Sequence, residues 1–191
     1  MNKLRLIIGI TGASGSLYAH LMLRKLAELR DQVEEVAVVV SKTGEKVWKY
    51  ELPDVPLDTF GFRRYDPDSF FAPMASGSSG YDSMIIIPCS VGTLGRIAAG
   101  TADDLMTRAA DVMLKERRKL ILVVRESPYS LIHLRNMATV TEAGGMILPA
   151  SPGFYMNPGS VDELCLTVVV KALAVAGVDG KNPGFMMADD R

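Results

Sequence analysis

The chain has 191 residues, 48% of them hydrophobic and 23% charged, enough for one globular domain with a sizeable core. Its 21 basic and 22 acidic side chains leave a formal net charge of −1, which excludes the broad basic field of a general nucleic-acid binder.

Strand and helix patterns alternate along the whole chain. Leu4 to Ile10 is a nearly continuous apolar run, as expected of a strand buried on both faces. A Gly-rich stretch at 11–15 follows, and Tyr18, Leu21, Met22, Leu26 and Leu29 then recur at helical spacing. Val36 to Val40 predicts a second strand and Gly44 to Tyr50 a second helix. The Pro- and Asp-rich stretch from Leu52 to Ser83 predicts a long loop, and long loops in compact domains are often functional. Met84 to Ile87 predicts a third strand, followed by helices over Thr93–Ala99 and Asp104–Arg118. Leu120 to Val124 and Met146 to Leu148 complete five strands, with helices at Ser130–Glu142 and Val161–Val175. Such alternation predicts an α/β fold: a single Rossmann-like (flavodoxin-like) domain over 1–191, its parallel sheet covered by helices on both faces. A tail at about 178–191 carries Phe185, Met186 and Met187, an apolar group expected to pack on another subunit or over a ligand.

The apolar runs, such as Met84 to Ile87, are too short to span a membrane, and the N-terminus leads into a strand with no signal-peptide pattern. Cys89 and Cys165 stand in no CxxC spacing, and His20 and His133 are far apart. These features predict a reduced cytoplasmic protein with no disulfide and no dedicated metal site.

In this architecture ligands bind beyond the C-terminal ends of the strands. Gly9-Ile10-Thr11-Gly12-Ala13-Ser14-Gly15 joins the first strand to the first helix, where small residues and free N–H groups favour a phosphate. It fits neither GxGxxG nor GxxxxGK[ST], and a tight turn alone would also account for it. Ser41-Lys42 ends the second strand without the acid that a dinucleotide ribose prefers; Ser41 also suits a helix cap. Ser90, Val91, Gly92 and Thr93 open another helix after the third strand. Cys89 beside them reads better as a small buried residue than as a nucleophile.

Charged residues form a second group. Arg108, Asp111 and Lys115 share one face of a helix, as a phosphate grip or as a surface ion pair. Arg125-Glu126 closes the fourth strand, and Tyr155 lies in a Pro-bounded loop after the fifth. Lys171 on the last helix would ordinarily be a solvated lysine.

The strings GITGASG (9–15), ASGS (75–78), PCSVGTL (88–94), TRAADVMLKERR (107–118), RESP (125–128), IHLRNM (132–137) and PGFY (152–155) resemble the UbiX-like flavin prenyltransferases in order and spacing. The likeness runs from about Leu4 to Ala176. The resemblance implies transfer of a dimethylallyl group from dimethylallyl monophosphate to N5 and C6 of reduced FMN, without a metal. It implies a product used by a UbiD-type decarboxylase, and a homododecamer. By position, Gly12, Ala13, Ser14, Ser41, Ser90, Val91, Gly92, Thr93 and Arg125 match the family's FMN contacts. Tyr155 and Lys171 match its prenyl-phosphate contacts, with Ser76, Gly77, Arg108, Lys115 and Glu126 grouped in the same pocket. Glu51 matches an acid near the flavin edge; Glu126, Glu51, Ser14, Lys115 and Arg108 form the implied catalytic set. The family usually has Arg where this chain has Lys171, and a tail Trp where it has Phe185. FMN-dependent cysteine decarboxylases share the fold but carry Asn at the position of Gly92. A flavin-binding subunit without catalysis is the alternative from another class.

Overall fold

A computed structural model of the chain describes residues 3–180. Six strands form one parallel sheet: β1 (Leu4–Ile10), β2 (Val33–Val40), β3 (Arg63–Tyr65), β4 (Ser83–Cys89), β5 (Lys119–Val124) and β6 (Met146–Pro149), in the order β3-β2-β1-β4-β5-β6. Without β3, the remaining five follow the flavodoxin-like order. The helices are α1 (Ser16–Glu28), α2 (Lys42–Glu51), α3 (Val91–Ala98), α4 (Leu105–Lys115), α5 (Leu131–Glu142) and α6 (Val161–Ala176). None is long and apolar enough to cross a membrane.

The sixth strand corrects the five-strand expectation. β3 pairs with β2 from Ala37↔Arg63 to Val39↔Tyr65, inside the predicted long loop. Three residues, two of them arginines exposed at the sheet edge, leave no apolar run for a sequence pattern to register. The rest of that loop contains two single 3₁₀ turns, Pro73–Ala75 and Gly77–Ser79.

Two apolar clusters divide the core. Leu6, Ile8 and Ile10 point to one face of the sheet and pack with α1 and α6 residues such as Met22, Leu26, Val169 and Leu173. Ile7, Met84 and Ile86 point to the other and pack with α4 residues such as Met106, Ala109 and Met113. Central strands covered on both faces must be apolar at every position, which explains why β4 is buried along its full length. α4 and α5 each start with a capping box, Asp104/Thr107 and Ser130/His133. Asp104 and Ser130 are therefore caps, one residue outside the helices predicted to begin at them.

The segment leading into β4 is tied to the start of β1. Arg5 Nε and Nη2 donate to Glu35 at 3.1 and 2.6 Å, and Arg5 Nη1 donates to the Ser79 carbonyl. Tyr81 donates to the same carboxylate at 2.8 Å. Desolvation pushes the Glu35 carboxyl up, but bonds from Arg5 and Tyr81 outweigh it and hold the group below its ordinary value. Residues 76–82 are thereby fixed at the N-terminal edge of the sheet, with Asp82 N–H donating to the Arg5 carbonyl at 2.9 Å.

Candidate functional site

β1 and β4 pair from Leu6↔Ser83 to Gly9↔Ile86, and one further backbone bond runs from Thr11 N–H to the Pro88 carbonyl at 3.3 Å. The chain leaves β1 toward β2 on one side and reaches β5 from β4 on the other, so the crevice opens at the topological switch point. A cavity of about 360 Å³ lies there, lined by Thr11, Gly12, Ser41, Ser90 and Thr93 and closed by Lys42, Asp68, Arg96 and Asp104. Four of the expected FMN contacts, Gly12, Ser41, Ser90 and Thr93, therefore meet in one cavity. Ala13 is buried, and Val91 and Gly92 lie in the first turn of α3.

The helix starts at this cavity are not equivalent. Ser41 Oγ caps α2 by accepting from Gly44 N–H at 3.0 Å, and Ser90 Oγ caps α3 by accepting from Thr93 N–H at 3.2 Å. First-turn N–H groups of both helices still lack intrahelical acceptors, which suits an incoming anion. The start of α1 is already taken. Glu51 accepts from Gly15 N–H at 2.9 Å and from Ser16 N–H at 2.7 Å. The expectation that the first loop offers its helix start to a phosphate is corrected accordingly: a carboxylate from the end of α2 sits there.

Gly15 has φ +112°, a conformation that a side chain would strain. Gly12 is needed for a different reason: a Cβ there would lie 2.7 Å from Thr43 Cβ and collide with its methyl group. The backbone at Gly12 is thus seated on the first turn of α2, and it forms a cradle wall that a side chain would disrupt.

Desolvation pushes the Glu51 carboxyl up, but bonds from the Ser14 hydroxyl and from Ser16 and Gly15 N–H hold it below its ordinary value. A depressed acid contributes stability above the unfolded value, and that contribution is lost as pH falls through the folded one. Glu51→Gln should therefore be less stable than wild type by about 0.5–2 kcal/mol near neutrality, the scale of an N-terminal cap. The gap should narrow as pH falls below the ordinary glutamate value toward the lower folded one. Denaturant midpoints of both proteins between pH 3 and 7 check this; a gap that does not change with pH contradicts it.

Arg125 and Glu126 follow β5 at the same edge. Arg125 Nε donates to the Ser14 carbonyl at 2.9 Å, so the expected FMN contacts Ser14 and Arg125 touch directly. Glu126 is half-buried and accepts from Ser127 N–H at 2.9 Å. Cys89 is fully buried, and desolvation pushes its thiol up to about 12, so it is no nucleophile at neutral pH.

The predicted second phosphate group is not assembled within one chain. Arg108 and Lys115 lie on α4, which covers one face of the sheet, whereas Lys171 lies on α6, which covers the other. Arg108 Nε donates to the Ala75 carbonyl at 3.1 Å and Nη1 pairs with Asp111 at 2.8 Å. Lys115 pairs with Glu116 beside Gly77, and Arg118 donates to the Gly77 carbonyl at 2.7 Å. Ser76, Gly77, Arg108 and Lys115 therefore follow the length of α4, Arg108 beside Ala75 in its first turn and Lys115 beside Gly77 at its far end. Tyr155 and Lys171 line a separate groove of about 780 Å³ between β6 and α6, together with Met146, Leu148 and Thr167. Both groups are on the surface. Phe185 and the rest of the predicted apolar tail lie outside the described residues.

Lys42, which the sequence pairs with Ser41 at the end of the second strand, is on the cavity wall, together with Thr11, Thr43, Asp68, Arg96 and Asp104, which the sequence does not single out as ligand contacts. Thr11 was inside a quoted motif, but only its glycines and small neighbours were read as ligand contacts. Arg96 is masked by helical context; it pairs with Asp103 and Asp104 at 2.8 Å each.

Comparison with known proteins places this geometry. The family described as Flavoprotein matches residues 1–168. Flavin prenyltransferase UbiX of Thermoplasma acidophilum is 45% identical over 177 residues, covering 92% of this chain and 96% of that protein. Flavin prenyltransferase UbiX of Pseudomonas aeruginosa is 42% identical over 190 residues, covering 91% and 90%. The crystal structure of AnUbiX (PadA1) in complex with FMN and dimethylallyl pyrophosphate superposes with a TM-score of 0.89 at 39% identity, covering 97% of this chain and all of that one. A dodecameric FMN-dependent Ubix-like decarboxylase from Escherichia coli O157:H7 also reaches 0.89 at 39% identity, covering 98% and 100%. The FMN-dependent cysteine decarboxylase SpaF shares the fold alone, at 18% identity and a TM-score of 0.60.

Proposed function

The chain belongs to the flavoprotein family and, within it, to the flavin prenyltransferases, and from that premise we propose that it transfers a dimethylallyl group from dimethylallyl monophosphate to N5 and C6 of reduced FMN. The observation that carries this reading is the switch-point cavity, where Gly12, Ser41, Ser90 and Thr93 converge, with Arg125 bonded to the Ser14 carbonyl of the first loop. The donor set there fits a singly phosphorylated flavin: two helix starts with free N–H groups, and no acid at the end of β2 to bind a second nucleotide's ribose. When bound, the reduced flavin supplies the two nucleophilic atoms.

In this reading Gly12, Ala13, Ser14, Ser41, Ser90, Val91, Gly92, Thr93 and Arg125 hold and orient FMN. Tyr155 and Lys171 grip the donor phosphate, with Ser76, Gly77, Arg108 and Lys115 supplied by another copy of the chain. Fixed cations at the leaving phosphate stabilise charge as the allylic C–O bond breaks. Glu126 handles the proton of the departing phosphate, and Glu51 fixes Ser14 at the loop. Lys171 gives a point charge where a guanidinium would give a fork. Residues 1–191 form a single FMN-binding domain of a homo-oligomer, a dodecamer like the Escherichia coli relative. The product serves a separate UbiD-type decarboxylase.

Incubating the protein anaerobically with reduced FMN and either dimethylallyl monophosphate or diphosphate, then weighing the extracted flavin, tests the reaction. A flavin heavier by one five-carbon unit is expected with the monophosphate. Unmodified FMN with both donors would overturn the transferase reading.

A further inference from the structure

Gly9↔Ile86 is the last paired position of the two central strands, one backbone bond from Thr11 N–H to Pro88 follows it, and the loops beyond form opposite lips of the cofactor cavity. Among the described residues, the bonds joining these lips run through Thr11. Its hydroxyl donates to the Pro88 carbonyl at 2.6 Å and accepts from Ser90 N–H at 2.9 Å. It also lies 3.5 Å from Ala13 N–H, and Thr11 N–H donates to the same Pro88 carbonyl at 3.3 Å. One donor and two acceptor positions exhaust what a hydroxyl offers. Thr11 is 2% exposed, so water has no easy route to replace it.

The geometry points to Thr11 as the positioning residue that sets the width of the FMN cavity, a role that rests on the flavin-binding reading above. Through Ser90 the bridge reaches α3: Ser90 Oγ caps that helix and also donates to Thr93 Oγ1 at 3.1 Å. Through Ala13 it reaches Gly12 and Ser14 on the opposite lip. The hydroxyl thus fixes both loops relative to each other just beyond the last backbone bond between the strands, the one from Thr11 N–H to Pro88. Thr11 acts through these loops and need not touch the flavin.

Three substitutions separate this role from simple packing. Thr11→Val keeps the volume but leaves Ser90 N–H unpaired and removes the shorter of the two bonds to the Pro88 carbonyl, which keeps only Thr11 N–H. Thr11→Ala loses the same two hydroxyl bonds but opens room for a bridging water. Thr11→Ser keeps the hydroxyl and loses only a methyl group. The FMN dissociation constant is measured by flavin fluorescence quenching, and the KM for dimethylallyl monophosphate at saturating FMN. Thr11→Val should weaken FMN about 10–100-fold, as expected for buried polar groups left unpaired. Thr11→Ala should fall between it and wild type, and Thr11→Ser within about threefold of wild type. The donor KM should not move.

Packing alone reverses the order, with Val milder than Ala. That reversal, or Thr11→Ser as weak as Thr11→Val, overturns the proposal. If Thr11→Val does not fold, the Ala and Ser pair decides: equal FMN affinities for those two would overturn it. A wild type that binds FMN but prenylates nothing refutes the transferase reading and leaves this comparison of affinities intact.

Discussion

A mixture of Lys115→Ala and Lys171→Ala protomers is expected to recover prenyl transfer that neither variant supports alone. The basis is the sheet. Lys115 is on α4 and Lys171 on α6, and these helices cover opposite faces. Lys115 lies at the C-terminal end of α4, about 16 Å from the end that meets Pro67 at the cavity. No single chain brings the two ammonium groups to one phosphate, but a closed oligomer does if α4 of one copy faces the groove between β6 and α6 of another. Removing either cation should lower donor turnover about 10–100-fold, the scale of one or two charge-assisted hydrogen bonds. After random reassembly at equal ratio, about a quarter of sites would carry both lysines, because each site draws its two residues from different chains. Rates are measured before and after mixing dissociated subunits, with FMN affinity as a control. Unrestored activity, or Lys115→Ala weakening FMN instead of the donor, refutes the shared site.

Why the sequence joined these four residues while the structure divides them has a physical answer. Periodicity tells which side of a helix is apolar, and it placed Arg108 and Asp111 together, which pair at 2.8 Å, whereas Lys115 pairs with Glu116. It does not tell which face of the sheet the helix covers. That depends on strand order. Crossovers of one hand put the helix on opposite faces according to whether the chain moves left or right along the sheet. β1 to β2 moves one way and β4 to β5 the other, so α1 and α4 end on opposite faces. α6 follows the last strand and returns to pack on α1.

Other features were legible because they depend on local chemistry. β1, β4 and β5 are continuous apolar runs, and each is buried almost throughout. The loops after β1, β2 and β4 carry small and hydroxyl residues, and these meet at the switch point as the fold rule requires. β3 was not legible, since Arg63, Arg64 and Tyr65 have no buried stripe. Two of them pair instead with long-range partners, Arg64 with Glu45 and Tyr65 with Glu35. Thr11 was hidden for a related reason: its hydroxyl partners at Pro88 and Ser90 are 77 and 79 residues away.

Glu126→Gln is expected to bind FMN normally and to lose about 10²–10⁴-fold in rate, the usual contribution of a positioned general acid or base. The substitution is discriminating because of what holds the side chain. Ser127 N–H donates to Glu126 Oε1 at 2.9 Å, and the carbonyl of a glutamine accepts the same bond. The backbone after β5, and with it Arg125 against the Ser14 carbonyl, should therefore stay in place. What the amide lacks is a proton to exchange with the departing phosphate at neutral pH. If Glu126 handles that proton, kcat falls, the donor KM changes little, and one limb of the pH–rate profile disappears. If Glu126 only braces the turn, glutamine braces it as well and turnover stays near wild type. Glu126→Ala separates the two further: a bracing role makes alanine much worse than glutamine, whereas a proton-transfer role makes both comparably slow. Steady-state rates and FMN titrations for the three proteins across pH 5–9 decide between them, and near-normal turnover of Glu126→Gln would remove Glu126 from the chemistry.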